Sequence, residues 1–294
     1  MRAEQKLSVV GKGLSYTAKA VSHMSIQMAE LHYLAPPSYD AASIAERAES
    51  LIESGIEFPA PKEQSDTLLF FHKRHPVQYK DRSAPAQTAI LSTNQQSDPA
   101  NYADAIQQSW ACEDAKNRIQ ACTTCRLVTE MMARLLEPAD RLTLFHGVLQ
   151  AFVEISKPHA IVFNHSQQII APDAYLAACN ETPIHRPGSL NVRFFRITNS
   201  DNDDMIMDTR GLNEIGLHDL QCHFRNLDPN DVSSVLYSTA IYIAQNGAVI
   251  ESGHTIAGTT PESKWQCQLE NSLLDPKREL LDLNPGSPYA AGNR

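Results

Sequence analysis

Positive charge is scarce in this chain of 294 residues, which carries 25 Lys and Arg against 34 Asp and Glu, a formal net charge of −9. Nucleic-acid binding depends on clustered cations that neutralise phosphates, so the charge balance argues against a general nucleic-acid binder. An acidic protein can instead dock on a basic protein partner, because opposite fields speed their encounter. Acidity also serves solubility alone, so the charge by itself does not identify a partner.

Cysteine and long apolar runs are also sparse. The six cysteines are too few for a disulfide scaffold and suit reduced thiols in a cytoplasm. No window approaches the apolar length of a membrane-spanning helix. The N-terminal Met1–Lys6 run precedes only a short apolar stretch, unlike a secretory signal. These absences predict a cytoplasmic protein without membrane association.

Motifs for phosphate and calcium binding are incomplete. Gly11-Lys12-Gly13 is too short for a phosphate-binding loop, which needs its full spacing after a strand. Asn199–Asp204 resembles a fragment of a calcium loop but lacks the glycine and the distant bidentate glutamate, so a polar hairpin turn explains it. The remaining composition, 42% hydrophobic and 20% charged, is typical of a globular protein with one large or two small domains.

Residues 1–80 are predicted to form a mostly helical N-terminal extension. Helix-favouring residues run from Ala18 to Tyr33, and capping and apolar spacing predict a second helix over Ile44–Ser54. A short apolar strand follows at Leu68–Phe71. The charged, proline-rich stretch from His72 to Ala86 is interpreted as a loop.

From Gln87 to Gly258 strands and helices alternate. Two helices have clear start signals, one at Pro138 and one at Asp228-Pro229. Apolar runs predict strands at Thr88–Ser92, Cys125–Val128, Ala160–Phe163, Leu190–Ile197, Met205–Met207, Leu220–Phe224 and Ala248–Ile250. Residues 87–258 are therefore predicted to be an α+β domain, a mixed, largely antiparallel sheet with helices packed on it. Residues 259–294 are predicted to be a C-terminal tail.

One stretch of the C-terminal half combines turn glycines with alternating apolar residues. It comprises Asp208-Thr209-Arg210-Gly211-Leu212, Gly216-Leu217-His218-Asp219, His223-Phe224, Asn246-Gly247 and Gly253-His254-Thr255-Ile256-Ala257-Gly258. In these residues the chain resembles DUF4261, a domain of unknown function found mostly in bacteria, and the resemblance extends upstream to about residue 87. The family implies no established activity and no catalytic residue. The resemblance implies an accessory or immunity-type protein.

Cys122-Thr123-Thr124-Cys125 is the clearest metal-like motif, because two thiolates at this spacing can bind zinc or cycle as a disulfide. A zinc site needs two further ligands, and the candidates are Cys222 with His223, or His218. Adjacent residues of a strand point to opposite faces, so Cys222 and His223 bind one metal only where the strand bends or bulges. A redox pair belongs at a helix start, whereas this motif leads into a strand. Two thiols packed as small apolar residues, without metal or cofactor, is the favoured interpretation.

Acid–base chemistry is the other possibility. A histidine near a strand end could pair with Asp208 or Asp219, and His165-Ser166 places a nucleophile beside a base. Nothing in the sequence sets these distances, so the favoured function is a non-enzymatic cytoplasmic protein-binding module. Its expected partner is a basic toxin or a secretion-associated protein. The alternative is a hydrolase or zinc-dependent enzyme that uses His and Cys residues of the C-terminal half.

Overall fold

A computed structural model describes residues 26–59, 67–93, 97–198, 200 and 203–292. The described chain forms two compact units, divided after Asn191: the N-terminal unit and the C-terminal unit. Each unit contains a predominantly antiparallel sheet with helices packed on it. The fold class is therefore α+β, as predicted.

The described residues of the N-terminal unit form seven strands and five α-helices. In chain order these are β1 (Met28–Tyr33), α1 (Ala41–Ile52), β2 (Ile56–Glu57), β3 (Thr67–Gln78), β4 (Ser83–Ser92), α2 (Ala103–Gln107), α3 (Ala115–Ala121), β5 (Thr124–Met131), α4 (Pro138–Ser156), β6 (Ala160–Phe163), β7 (Gln168–Ile170) and α5 (Pro172–Ala177). A 3₁₀ turn, Pro99–Tyr102, leads into α2. The sheet order is β2-β3-β4-β5-β1-β6-β7, with every neighbouring pair antiparallel.

Strand β1 lies inside this sheet and is covered on both faces. Alternate residues enter a core shared with α1 and α4: Ala29, Leu31 and Tyr33. Glu30 and His32 point to the opposite face, beside Val162 and Ala160 of β6. There the 3₁₀ turn, α2 and α3 pack against the sheet. A layer of helices thus covers two buried polar side chains of the sheet.

Helix α4 is the centre of the apolar core on the other face. It starts with Pro138 in the first turn and ends at Lys157, which adopts a left-handed conformation with φ of 51°. Gly147 allows α1 to approach closely, since a Cβ at this position would lie 2.2 Å from Ile52 Cγ2. The absence of a side chain at one residue therefore sets the spacing of α1 and α4.

The C-terminal unit contains a second sheet, with strand order β11-β12-β13-β10-β9-β8. Its elements are β8 (Asn191–Arg196), β9 (Met205–Arg210), β10 (Asp219–Phe224), α6 (Pro229–Asn246), β11 (Thr255–Ala257), β12 (Lys264–Asn271) and β13 (Glu279–Asn284). Strands β10 and β13 pair in parallel, and α6 packs on β9 and β10. Asp228 caps α6 by accepting a hydrogen bond from the Asn230 N–H, as the Asp-Pro signal predicted.

One face of this second sheet carries a row of buried polar residues. Asp208, Gln221 and Asp282 lie side by side on β9, β10 and β13, and all three are buried. The Gln221 amide donates to Asp282 Oδ1 at 3.0 Å. Asp208 is paired with Arg193 and Arg278. A polar row of this kind stays buried because its members have hydrogen-bond or ion-pair partners.

The N-terminal segment differs from the predicted helical extension. Residues predicted as the end of the helix Ala18–Tyr33 form β1, while residues 18–25 lie outside the described part of the chain. Tertiary pairing overrides local helix propensity here, because an interior strand gains hydrogen bonds and burial on both faces. The predicted loop from His72 to Ala86 is also wrong, since most of it belongs to the β3–β4 hairpin. The helix at Ile44–Ser54 is confirmed as α1.

The predicted C-terminal tail likewise contains two strands of the sheet, β12 and β13. Exposed Gln266 and Gln268 alternate on β12 with buried Trp265 and Cys267, so the strand carries fewer apolar residues than a strand that is buried on both faces. The strand expected at Ala248–Ile250 is absent from the secondary structure of this described segment. The compact units divide after Asn191, inside the segment 87–258 that was predicted as one domain. Strands from residues 28–92, most of which were assigned to the N-terminal extension, share one sheet with β5, β6 and β7.

Candidate functional site

Glu30 and His32 lie two residues apart on β1, so their side chains occupy the same face of the sheet. Glu30 is 7% exposed and His32 is fully buried. Ser97 precedes the 3₁₀ turn above them, and the Asp98 carboxylate accepts a 2.9 Å hydrogen bond from the Ala100 N–H at the start of that turn. This local cap fixes the backbone next to Ser97.

Ser97, His32 and Glu30 form a chain of polar contacts. Ser97 Oγ lies 2.8 Å from His32 Nδ1, and His32 Nε2 lies 3.4 Å from Glu30 Oε2. A neutral imidazole with its proton on Nε2 can accept from the Ser97 hydroxyl while its N–H faces the carboxylate. The order of groups is that of a nucleophile, a base and an acid that orients the base.

Two further side chains hold the Glu30 carboxylate in place. The Asn164 amide donates to Glu30 Oε1 at 2.6 Å, and the Tyr102 hydroxyl donates to Oε2. Burial alone would raise the pKa of Glu30, but the polar contact with His32 and the hydrogen bonds from Tyr102 and Asn164 outweigh it and leave this pKa below its usual value. Glu30 therefore carries its negative charge next to His32. These five residues, Ser97, His32, Glu30, Tyr102 and Asn164, are the Ser97 site.

Cys125 is the other nucleophile close to this site, since it pairs directly with His32 across β1 and β5. Its Sγ lies 2.7 Å from the Thr93 hydroxyl. Burial raises the pKa of the Cys125 thiol, so it remains protonated, and the thiolate is the reactive form. The Ser97 hydroxyl, in contrast, is uncharged by nature and lies within hydrogen-bond distance of the His32 imidazole.

Two open clefts lie on either side of the 3₁₀ turn. The first, of about 820 Å³, is lined by Ser97, Asp98 and Ala100 together with residues of α2 and α3. The second, of about 390 Å³, is lined by Tyr102, Asn164 and neighbouring polar residues. Ser97 is half-buried, so the Ser97 site is connected to solvent through the first cleft while Glu30 and His32 remain buried.

The predicted Cys122–Cys125 motif connects α3 to β5, leading into a strand as expected. The Cys122 thiol donates to the Arg118 carbonyl at 3.2 Å, and burial raises the pKa of Cys122 to about 11. No disulfide involves Cys122 or Cys125. Nearby, Ser166 of the predicted His165-Ser166 pair is fully buried, and His165 Nδ1 lies 3.2 Å from the Met28 N and 3.0 Å from the Met28 carbonyl oxygen.

The other candidate ligands lie in the C-terminal unit. Cys222 is buried, and burial raises the pKa of its thiol well above the usual value. His223 follows it on the opposite face of β10, as predicted, while His218 Nε2 lies 4.0 Å from Glu279 Oε1. Within the described ranges, His, Cys, Asp and Glu residues nowhere gather in a group of three or more suited to a metal ion. The Gly11–Gly13 motif and half of Asn199–Asp204 lie outside those ranges.

A buried network of ion pairs lies in the C-terminal unit. Arg193 binds both oxygens of Asp208, at 2.8 and 2.6 Å. Arg278 bridges two carboxylates, donating to Asp208 Oδ2 at 2.8 Å and to Asp219 Oδ2 at 2.9 Å. Asp219 Oδ1 also accepts from the Leu212 N–H at 3.2 Å. The network joins β8, β9, β10 and the loop before β13.

Burial raises the pKa of Asp219 although the Arg278 guanidinium opposes this effect. Desolvation therefore outweighs a direct ion pair at this carboxyl. Every charge of the network has a partner of opposite sign, so the arrangement is suited to joining strands.

The segment that matches a known protein family contains Asp208, Asp219 and Arg278 of this network. Residues 208–284 match the family model of DUF4261, a domain of unknown function. The resemblance is confirmed for this segment, which runs from β9 to the end of β13 and includes Arg278. The Ser97 site and the remainder of the predicted range from residue 87 lie outside the DUF4261 match. No curated protein and no solved structure matches the chain. Throughout the described residues, helices fall short of the length and apolar character needed to cross a membrane.

Sequence analysis did not identify the Ser97 site. The available signal was the Glu-x-His spacing of Glu30 and His32, which places both side chains on one face only if the segment is a strand. Because Ala18–Tyr33 was predicted to be a helix, Glu30 and His32 were not expected to lie on one face, since residues two apart on a helix do not share a face. Ser97 lies 65 residues from His32 in the chain, and only the fold brings them together.

Proposed function

We propose that the N-terminal unit is a hydrolase that uses Ser97 as its nucleophile. The observation that supports this is the 2.8 Å contact of Ser97 Oγ with His32 Nδ1, with the Glu30 carboxylate on the other side of the imidazole. Nucleophile and base are within hydrogen-bond reach, and a third group orients the base. The nucleophile also borders an open cleft.

The reaction that this geometry supports is hydrolysis of an ester or amide in two steps. Ser97 Oγ attacks the acyl carbon while its proton moves to His32 Nδ1, and His32 then gives that proton to the leaving group. The acyl–Ser97 ester is cleaved by water, whose proton passes through His32 back to Ser97 Oγ as the carboxylic acid leaves. Glu30 stabilises the imidazolium that forms in each step, since its own charge is maintained by Tyr102 and Asn164.

A fluorophosphonate probe, which phosphonylates activated serines, tests this proposal directly. Incubation of the full chain should label the peptide that contains Ser97, as measured by mass spectrometry. Ser97→Ala and His32→Ala should abolish labelling, because one removes the nucleophile and the other the base. Ser92→Ala is the matched control, since Ser92 is also half-buried and lies five residues away at the end of β4. Labelling that persists in Ser97→Ala, or never appears, would refute the proposal.

A second function, binding of a basic protein partner, is supported by a different observation. Trp110 lies between α2 and α3 with 65% of its surface exposed, and the acidic Glu113 and Asp114 follow it. Exposed tryptophans are enriched among residues that dominate binding energy. This role agrees with the net charge of −9. We infer that such a partner would be a toxin or secretion-associated protein, with this chain as an immunity-type or accessory component in a bacterial cytoplasm.

Isothermal titration against purified basic products of neighbouring genes tests the second function. Trp110→Ala is expected to weaken binding by about 2 kcal/mol, roughly 30-fold, and added salt should weaken it further. Leu135→Ala is the control, because Leu135 is equally exposed at 64% in the same unit. Equal affinity of both variants and the unaltered protein would exclude Trp110 from the interface.

A further inference from the structure

The cleft beside Ser97, here the Ser97 cleft, has walls of different chemistry. One wall consists of Ser97 and Asp98, which precede the 3₁₀ turn, and Ala100 of the turn itself, while α2 and α3 contribute Ile106, Lys116 and Gln120. Ile106 also packs against the apolar cluster beneath α2 and α3. A ligand whose carbonyl reaches Ser97 would therefore meet an apolar surface and then α3.

Lys116 and Gln120 lie four residues apart on α3, one turn along the same face. Helix α3 is anchored, because Ala115 and Ile119 are buried and Arg118 donates to the His159 carbonyl at 3.1 Å. The backbone positions of Lys116 and Gln120 are therefore held on the wall of the Ser97 cleft, although both side chains are exposed.

Lys116 is the cation of the Ser97 cleft, and among the described residues it makes no ion pair. The one carboxylate of the cleft, Asp98, accepts from the Ala100 N–H. Gln120 can donate from its amide beside Lys116. The α3 wall thus offers an ammonium group and an amide donor, which are ligands for an anion.

We infer that the Ser97 cleft selects acyl substrates whose acyl chain ends in a carboxylate, with Lys116 binding this anion and Gln120 donating to it. The inference rests on the proposed hydrolase function. Ile106 contacts the methylene carbons between the carbonyl at Ser97 and the anion at α3. A neutral chain of the same length gains the apolar contact and loses the ion pair, so discrimination arises at Lys116.

Two esters that differ only at the end of the chain test this selectivity: the mono-4-nitrophenyl ester of adipic acid and 4-nitrophenyl hexanoate. The unaltered protein should hydrolyse the adipate ester with a kcat/KM about fivefold higher, because one exposed ion pair provides limited selectivity. Lys116→Met should bring the ratio close to one by lowering kcat/KM for the adipate ester. Raising the salt concentration should reduce the preference of the unaltered protein.

Lys80→Met is the control, because Lys80 is an exposed lysine of the turn between β3 and β4, and it should keep the preference. Equal turnover of both esters, or a preference that survives Lys116→Met, would overturn the inference while leaving Ser97-dependent hydrolysis in place. Failure of both esters to react in a Ser97-dependent manner would remove the proposed function and the inference together.

Discussion

Replacing Ser97 by alanine is expected to lower kcat for 4-nitrophenyl ester hydrolysis by at least about 10³-fold. The substitution removes the Oγ that forms the acyl ester, and water held by His32 alone is a poor substitute. The variant should fold normally, because Ser97 is half-buried and its side chain contributes one hydroxyl, which contacts His32. Stopped-flow kinetics should also show that the burst of nitrophenol, which reports the acyl intermediate, disappears.

His32→Ala separates a catalytic from a packing explanation of the same loss. If Ser97 and His32 act as a unit, the double variant should be no slower than either single variant. Independent contributions would instead multiply the two losses. Ser92→Ala should retain full activity. Unchanged kcat in Ser97→Ala, at equal thermal stability, would show that the contact of Ser97 with His32 serves packing of the 3₁₀ turn on the sheet.

Replacing Arg278 by methionine is expected to destabilise the C-terminal unit by about 3–5 kcal/mol at pH 7. The guanidinium is the group that contacts both Asp208 and Asp219, and methionine fills its volume without neutralising them. Asp208 retains Arg193, whereas Asp219 retains the neutral hydrogen-bond donors Thr209 and Leu212 and the charge of Arg210, without a direct ion pair to Arg278. A buried carboxylate without its ion pair is costly, because desolvation already dominates at Asp219.

Urea unfolding followed by tryptophan fluorescence measures this effect in the relevant unit. The chain has two tryptophans, and Trp265 is buried on β12, so a Trp110→Phe background makes Trp265 the reporter. Lys277→Met is the matched control, since Lys277 is adjacent in sequence and its ion pair with Asp275 is exposed, at 3.9 Å. It should cost less than about 0.5 kcal/mol. Equal midpoints for Arg278→Met and Lys277→Met would contradict the structural role of the network.

The penalty of Arg278→Met should depend on pH in a definite direction. Burial holds the pKa of Asp219 above its ordinary value in the folded chain, and loss of the guanidinium should raise this pKa further. A carboxyl with a raised folded pKa favours the folded state below its unfolded pKa, and this contribution is lost as pH rises through the folded pKa. The stability difference between variant and unaltered protein should therefore shrink as pH falls from 7 towards 4.

Local signals in the sequence correctly predicted the elements whose stability is decided within one segment. Helix α6 follows from the Asp228-Pro229 cap and its apolar stripe, and α1 from the apolar spacing of Ile44–Ser54, because capping and helical periodicity act over a few residues. The DUF4261 resemblance was also readable, since its turn glycines and alternating residues lie close together in the chain. The α+β class followed from the alternation of these elements.

Strand β1 is an element that local sequence signals predicted wrongly. Its residues favour a helix locally, yet it pairs with β5 and β6, more than 90 residues away. Strands β12 and β13 were not predicted from the sequence for a related reason, since an exposed polar face on β12 weakens the apolar pattern that indicates a strand. Propensity over one segment cannot outweigh hydrogen bonds and burial supplied by distant strands.

The sequence by itself determined the fold class, the main helices, the acidic charge and the segment that matches DUF4261, because each depends on composition or on residues near one another in the chain. Only the tertiary structure decided that Ser97 meets His32, that Glu30 orients it, and that Arg278 bridges Asp208 and Asp219. These contacts join residues brought together by long-range strand pairing, and their chemistry depends on burial, which follows from packing of the whole unit.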